Sequence, residues 1–145
     1  MDPSYANYAA FKMEFPEPVK VIKVYDGDTV TIGCTVNDRL TKFNVRMLGY
    51  DCAEMRSHDQ VEKDCAHEAQ KDLKGMILGK KVTVVKNEGF DKYGRLLLEL
   101  NFENQNVNTY MRTTWGVEYD GGHKNNVDWS AFPKGTKNEG ADTQE

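Results

Sequence analysis

The chain has 145 residues, 29% of them charged and 39% hydrophobic, a composition that suits one folded domain with or without tails. Its net charge is −4 and its pI about 5.4, which excludes a uniformly basic nucleic-acid-binding surface but leaves room for a local one. No apolar run reaches the ~20 residues that cross a bilayer, Met1–Glu17 lack the basic start and apolar core of a secretory signal, and three cysteines without framework spacing predict free thiols in an intracellular, reducing setting.

Residues 1–18 bear prolines and no regular period, and are expected to form an arm. Val19 to Tyr25 is β-branched and partly alternating, which predicts a strand. Asp26-Gly27-Asp28 has turn chemistry. Thr29–Val36 and Arg39–Leu48 predict two further strands around an Asn37-Asp38 hairpin turn. Gly49 then permits a bulge or a close backbone approach. Ser57 or Asp59 can cap a helix running to about Ile77. Its apolar positions, Val61, Cys65, Ala66, Ala69, Leu73, Met76 and Ile77, form one stripe that reads as core-facing.

Lys81–Lys86 predicts a fourth strand, Asn87–Gly94 a polar turn, Leu96–Phe102 a fifth strand and Val107 to about Trp115 a second helix. Beyond Gly121 the chain is polar and glycine-rich, with Trp129 and Phe132 as anchors, so residues 123–145 are expected to be a flexible tail. The expected fold is α+β and mainly β, a five-stranded OB-type β-barrel with two or three appended helices over residues 19–122.

Five separated stretches carry chemistry: Asp26-Gly27-Asp28-Thr29, Val45-Arg46-Met47-Leu48-Gly49, Asp51-Cys52-Ala53-Glu54, Asp91-Lys92-Tyr93-Gly94-Arg95 and Tyr119-Asp120-Gly121-Gly122. Each alone is a weak signal. Together they offer acidic oxygens for a hard cation, a spare carboxylate and two guanidiniums, the inventory of a metal-dependent phosphodiesterase.

Asp28 and Asp51 are the candidate metal ligands, with Asp26 nearby and acting through water; the bland alternative is a plain turn. Glu54 is the candidate general base, against an ordinary loop acid. Arg46 and Arg95 are candidate phosphate clamps, because guanidinium is planar and bidentate toward phosphate. Arg46 lies in an otherwise apolar strand: facing inward it would need an anionic partner, and facing outward it would be an ordinary residue of an alternating strand. Lys92 and Tyr93 could hold a phosphate or stack a base, and Trp115 and Tyr119 could extend that platform or fill core. His67, two residues after Cys65, reads as a solvated helix residue. Other basic residues, among them Lys23, Lys80, Lys81 and Lys86, could give the acidic chain a local basic surface.

The turn DGDT, the run VRMLGYDCAE and the turn DKYGR, in this order, resemble the staphylococcal nuclease-like (thermonuclease) family over about Val19 to Tyr119. The resemblance implies an OB-type barrel with helices. It implies calcium held by Asp28, Asp51 and the backbone carbonyl of Cys52, with Arg46, Glu54 and Arg95 catalytic. Lys92 and Tyr93 would contact phosphate, and Tyr119 matches a further phosphate-contacting tyrosine. The implied reaction is cleavage of DNA and/or RNA, as an endonuclease, at the 5′ P–O bond to leave 3′-phosphate ends.

Two departures from the family stand out. Cys52-Ala53 replaces its Thr-Pro. A carbonyl ligand survives that change, whereas losing proline loosens the Glu54 loop, and a thiol beside the site is open to soft metals or oxidants. The chain also closes on YDGG without a long final helix. The expectation is therefore a monomeric calcium-dependent nuclease with nucleic acid as partner and no membrane association. The rival reading is a catalytically weak or inactive relative that binds nucleic acid or protein.

Overall fold

The computed structural model describes residues 8–9, 11, 13–119 and 127–134. The rest of the expected arm and tail, and Asp120 to Gly122 of the closing motif, lie outside the described residues. The chain folds as β1 (Val19–Asp26), β2 (Thr29–Val36), β3 (Arg39–Met47), β4 (Tyr50–Asp51), α1 (Gln60–Ile77), β5 (Lys81–Phe90), β6 (Leu96–Phe102), β7 (Gln105–Asn106), α2 (Val107–Thr114) and β8 (Val117–Glu118). A 3-10 turn follows at Trp129–Ala131. No helix among the described residues is long and apolar enough to cross a membrane.

Five strands close a barrel in the order β3-β2-β1-β5-β6, and β6 returns to β3. That last contact is the parallel one, Val45 to Leu96, Arg46 to Leu97 and Met47 to Leu98; the other pairings in the ring are antiparallel. Two helices complete the expected OB-type α+β fold.

Strand alternation builds the core. Val30 and Ile32 of β2, Val45 and Met47 of β3, and Leu96, Leu98 and Leu100 of β6 are all buried, and their neighbours in sequence point outward. Helix α1 covers this core with Cys65, Ala66, Ala69, Leu73 and Ile77. Asp59 caps it by accepting from the Val61 N–H, and Ser57 Oγ in turn accepts from the Asp59 N–H. Val61, expected in the apolar stripe, is exposed, because it sits in the first turn before the helix reaches the barrel.

Small residues set the approach of helix to turn. A Cβ at Gly27 would stand 2.9 Å from Cys52 Sγ and 3.0 Å from the Ala69 Cβ. The β1–β2 turn, the Cys52 loop and α1 therefore meet at a glycine. Gly49 does a different job: nothing lies within 4 Å of its added Cβ, and its φ of +92° marks a backbone turn. Of the two expectations for it, close approach is the one overturned.

The expected turn at Asn87–Gly94 is shorter than the sequence suggests. Strand β5 runs on to Phe90 through an irregular register between Asn87 and Phe90, where Gly89 takes φ +86°. The polar side chains there still have partners: Asn87 Nδ2 donates to the Met13 carbonyl at 2.6 Å and Asn87 Oδ1 accepts from the Gly89 N–H. Phe15, beside Met13, stands edge-on to Phe43 at 6.0 Å, so the inner end of the arm lies on the barrel.

Asn108 of α2 locks the end of the barrel where the site lies. Its amide donates to the carbonyls of Leu48 and Leu98, and its oxygen accepts from the Leu100 N–H. Asn108→Ala removes the partner of the Leu48 carbonyl and of the Leu100 N–H; Leu98 keeps the Leu48 N–H. At about 1–3 kcal/mol for each orphaned buried group, the variant is expected to lose about 2–5 kcal/mol, read as a lower urea midpoint at unchanged m-value.

Candidate active site

The outward face of the barrel is a cleft of about 1010 Å³. Its floor follows from strand alternation. Lys23 and Tyr25 of β1 and Thr29 and Thr31 of β2 point into it. Asn44 and Arg46 of β3, then Arg95 and Leu97 leading into β6, continue it across the barrel closure. Five acidic side chains (Asp26, Asp28, Asp51, Glu54, Asp91) and five cationic ones (Lys23, Arg46, Arg56, Lys92, Arg95) line it. In a chain of net charge −4 this balance means that cations are gathered here.

At the centre lies Arg46, with its side chain only 12% exposed. It lies on the outward, cleft-facing side of β3, yet is largely covered there and has the anionic partners that such burial requires. Nη2 meets Asp51 Oδ1 at 3.1 Å and Nη1 stands 3.5 Å from Asp28 Oδ2. Nη1 also donates to the carbonyls of Met47 and Tyr50, at 3.1 and 2.9 Å. Asp28 is held from behind: Oδ2 accepts the Cys52 N–H at 3.0 Å and Oδ1 the Thr29 hydroxyl at 3.0 Å. The Tyr50 hydroxyl donates to the Gly27 carbonyl at 2.8 Å, pinning the turn to β4.

These contacts set the protonation pattern. Burial raises the Asp28 carboxyl, but the Arg46 guanidinium and its hydrogen bonds outweigh burial and hold it below its ordinary value. Asp26 lacks that guanidinium, and burial together with the Asp28 charge pushes it up to about 7. The Cys52 thiol is buried, and burial followed by the neighbouring Asp28 charge raises it well above its usual value. A reactive thiol beside the site, expected from the sequence, is thereby overturned, because the nucleophilic thiolate is suppressed.

The Asp91–Arg95 turn is organised by one carboxylate. Asp91 Oδ1 accepts the N–H groups of Tyr93 and Arg95, and Oδ2 takes Arg95 Nε at 2.9 Å. Gly94 at φ +82° lets the turn close. The Tyr93 ring, 72% exposed, lies between Lys92 and Arg95, whose charges are 5.3 and 5.4 Å from its centroid.

Tyr119 is brought in by the β4–β8 ladder, in which Tyr50 pairs with Glu118 and Asp51 with Val117. Its N–H donates to the Gly49 carbonyl, and its ring centroid is 5.4 Å from Arg46 Cζ. Gly116 makes the approach possible, since a Cβ there would stand 2.9 Å from Tyr50 Cδ2 and 3.1 Å from the Asp51 carbonyl oxygen. Glu54 is exposed on the cleft wall, its backbone N–H donating to Glu62 Oε2.

Arg46, Glu54, Arg95, Asp28, Asp51, Cys52, Lys92, Tyr93 and Tyr119 thus all border one cleft. Trp115 does not: it is buried, and its Nε1 shares Asp72 Oδ2 with the Tyr110 hydroxyl, which ties α2 to α1. His67 is exposed on α1. The sequence reading missed Tyr25, Arg56, Thr31 and Asn44 as cleft residues, and Asp91 as the organiser of its turn. Alternation would have found Thr31 and Asn44 once β2 and β3 were known to share a face, whereas Tyr25 follows a bulge in β1 that alternation does not show.

Among the described residues no group of three or more His, Cys, Asp or Glu side chains could hold a metal by itself. The donor set still fits a hard divalent cation. Two buried carboxylates lie beside a third acid with an elevated pKa, and such ions take the remaining ligands from carbonyls, water and substrate oxygens.

Residues 44–114 match the family described as Staphylococcal nuclease homologue, which bears out the resemblance over that span. The DGDT turn precedes the matched residues, yet the fold sets it against Arg46 and the Cys52 N–H within them. No curated protein matches the chain.

Arg46→Met leaves the Asp28 and Asp51 carboxylates, 10% and 8% exposed, without their counter-charge. In chelator it is expected to cost about 3–5 kcal/mol, measured by urea unfolding. A second prediction concerns acid stability. Burial raises the Asp91 carboxyl, but the backbone N–H groups of Arg95 and Tyr93 and the Arg95 guanidinium bring it below its ordinary 3.8. Its contribution is therefore complete above pH 3.8 and is lost as pH falls below that, through the lower folded value. Asp91→Asn is expected to flatten the dependence of the urea midpoint on pH in that acid window and to leave the shape above it unchanged.

Proposed function

We propose that this staphylococcal nuclease-type domain is a calcium-dependent phosphodiesterase that hydrolyses DNA and/or RNA. The observation that carries the reading is the convergence of Asp28, Arg46 and Asp51 in one ion cluster, in a cleft that also holds Glu54, Lys92, Tyr93, Arg95 and Tyr119.

Asp28, Asp51 and the Cys52 carbonyl would hold the calcium ion, since the donors are hard oxygens. Bound there, the ion would polarise the phosphodiester and lower the pKa of water. Glu54 accepts a proton from the attacking water. The water oxygen bonds to phosphorus, the bond to the 5′ oxygen breaks, and the leaving oxygen takes a proton from solvent, which leaves a 3′-phosphate. Arg46 and Arg95 neutralise the charge that grows on the phosphoryl oxygens, and their positions are fixed beforehand by Asp28, Asp51 and Asp91. Lys92, Tyr93 and Tyr119 hold the flanking phosphate. Free Cys34, Cys52 and Cys65 suit a reducing, intracellular compartment.

The test is cleavage of end-labelled single-stranded DNA and RNA in calcium and in chelator, by wild type and Glu54→Gln. Calcium-dependent cleavage that falls by about 10²-fold or more in the variant is expected, together with loss of calcium binding by calorimetry in Asp51→Asn. A folded protein that cleaves nothing in any metal, yet retains oligonucleotide in chelator, would replace the enzyme reading with that of a binding module.

A further inference from the structure

We propose that the cleft continues past Tyr25 into a second groove, where the next nucleotides of a single strand bind. Their bases would lie on Tyr25 and the apolar floor, and their phosphates on Lys23, Lys74 and Arg56. This rests on the nuclease reading and extends the substrate from one phosphodiester to a strand several nucleotides long.

A bulge in β1 creates the groove. Pairing with β2 slips between Val21 and Lys23, so Ile22 and Lys23 both point outward where regular alternation would bury one of them. Val24 returns to the core and Tyr25 points outward again. Ile22, Tyr25 and, at the end of α1, Leu78 are left 44%, 49% and 40% exposed. With Met55, Lys23 and Lys74 they line a groove of about 520 Å³.

Three observations identify the occupant. The groove shares Lys23, Tyr25 and Met55 with the active-site cleft, so a chain leaving one enters the other. Its lining holds Lys23 and Lys74 and no acid, in a chain whose net charge is −4. Tyr25 is also built as a platform. Lys23 Nζ lies 5.3 Å from its ring centroid, and Arg56 Nη2 donates to its hydroxyl at 3.4 Å. Gln70 of α1 donates to the carbonyls of Val24 and Tyr25 at 3.2 and 3.1 Å, so the backbone below the exposed ring is held. An aromatic face beside cations with no acid between them is the chemistry of a sequence-tolerant single-strand site.

The experiment is equilibrium binding of a dinucleotide and an octanucleotide, both single-stranded, in chelator, with cleavage assayed separately in calcium. Tyr25→Ala is expected to weaken the octanucleotide about tenfold and the dinucleotide by less than about twofold. Tyr25→Phe, which keeps the ring and loses the hydroxyl, should bind as wild type does. Lys74→Gln should reduce the salt slope for the octanucleotide by ~0.7. Circular dichroism and sedimentation check folding and oligomeric state. Equal losses for both lengths, no loss for the octanucleotide, or a wild-type dimer that Tyr25→Ala dissociates would each overturn the groove. Calcium-dependent cleavage that persists alongside unchanged octanucleotide binding sinks the groove alone. A wild type that neither binds nor cleaves sinks the nuclease reading with it.

Discussion

One guanidinium joins the parts of this site. Arg46 reaches the β1–β2 turn through Asp28, β4 through Asp51 and the Tyr50 carbonyl, and its own strand through the Met47 carbonyl. Three separate elements, of which the β1–β2 turn is distant in sequence, are thereby brought together at one side chain. Two buried aspartates this close would repel without a cation between them. The same arrangement holds the Asp28 carboxyl below its ordinary value against burial, with the Arg46 charge the main cause of the lowering. Structural and chemical demands on Arg46 are therefore a single demand, and Lys could not replace it, because the several directed donors of the planar fork are in use at once.

Around that point the fold supplies two kinds of support. The barrel provides a rigid floor, since each cleft residue on a strand is flanked in sequence by a buried one. Short, locally tied pieces provide the rim: the Asp91-centred turn carries Lys92, Tyr93 and Arg95, and the two-residue β4–β8 ladder carries Tyr119. Glycines decide how close these pieces come. Gly27 admits the Cys52 side chain and Ala69, and Gly116 admits Tyr50. The pieces that position chemistry are thus the ones with the least tolerance for an added methyl group.

Much of this was legible from residue order. The strands around Asp26-Gly27-Asp28 and Asn37-Asp38, the Asp59 cap and the core stripe of α1 follow from turn chemistry and periodicity. So does the dilemma of Arg46, whose apolar neighbours allow it to be buried only with acids beside it. Other features depended on contacts that no local pattern encodes. Asn87 and Gly89 look like loop residues, yet a ladder with β6 and a tie to the Met13 carbonyl keep them in β5. Cys52 read as a thiol open to soft metals or oxidants because its environment comes from Gly27 and α1, distant in sequence. Tyr25 gave no signal, because its place in the cleft depends on a bulge set by register with β2.

The barrel is closed by the parallel contact of three residue pairs between β3 and β6, and the site lies on that seam. Arg46 is one of the three, and Arg95 immediately precedes the partner strand. Parallel pairing of segments some fifty residues apart carries a high loop-closure cost and tends to form late. A chain with β1, β2, β3 and α1 in place but the seam open has both aspartates and Arg46, yet lacks Arg95, Lys92 and Tyr93 at their side. Assembly of the site and completion of folding are then one event, so partly folded molecules during synthesis carry no competent centre.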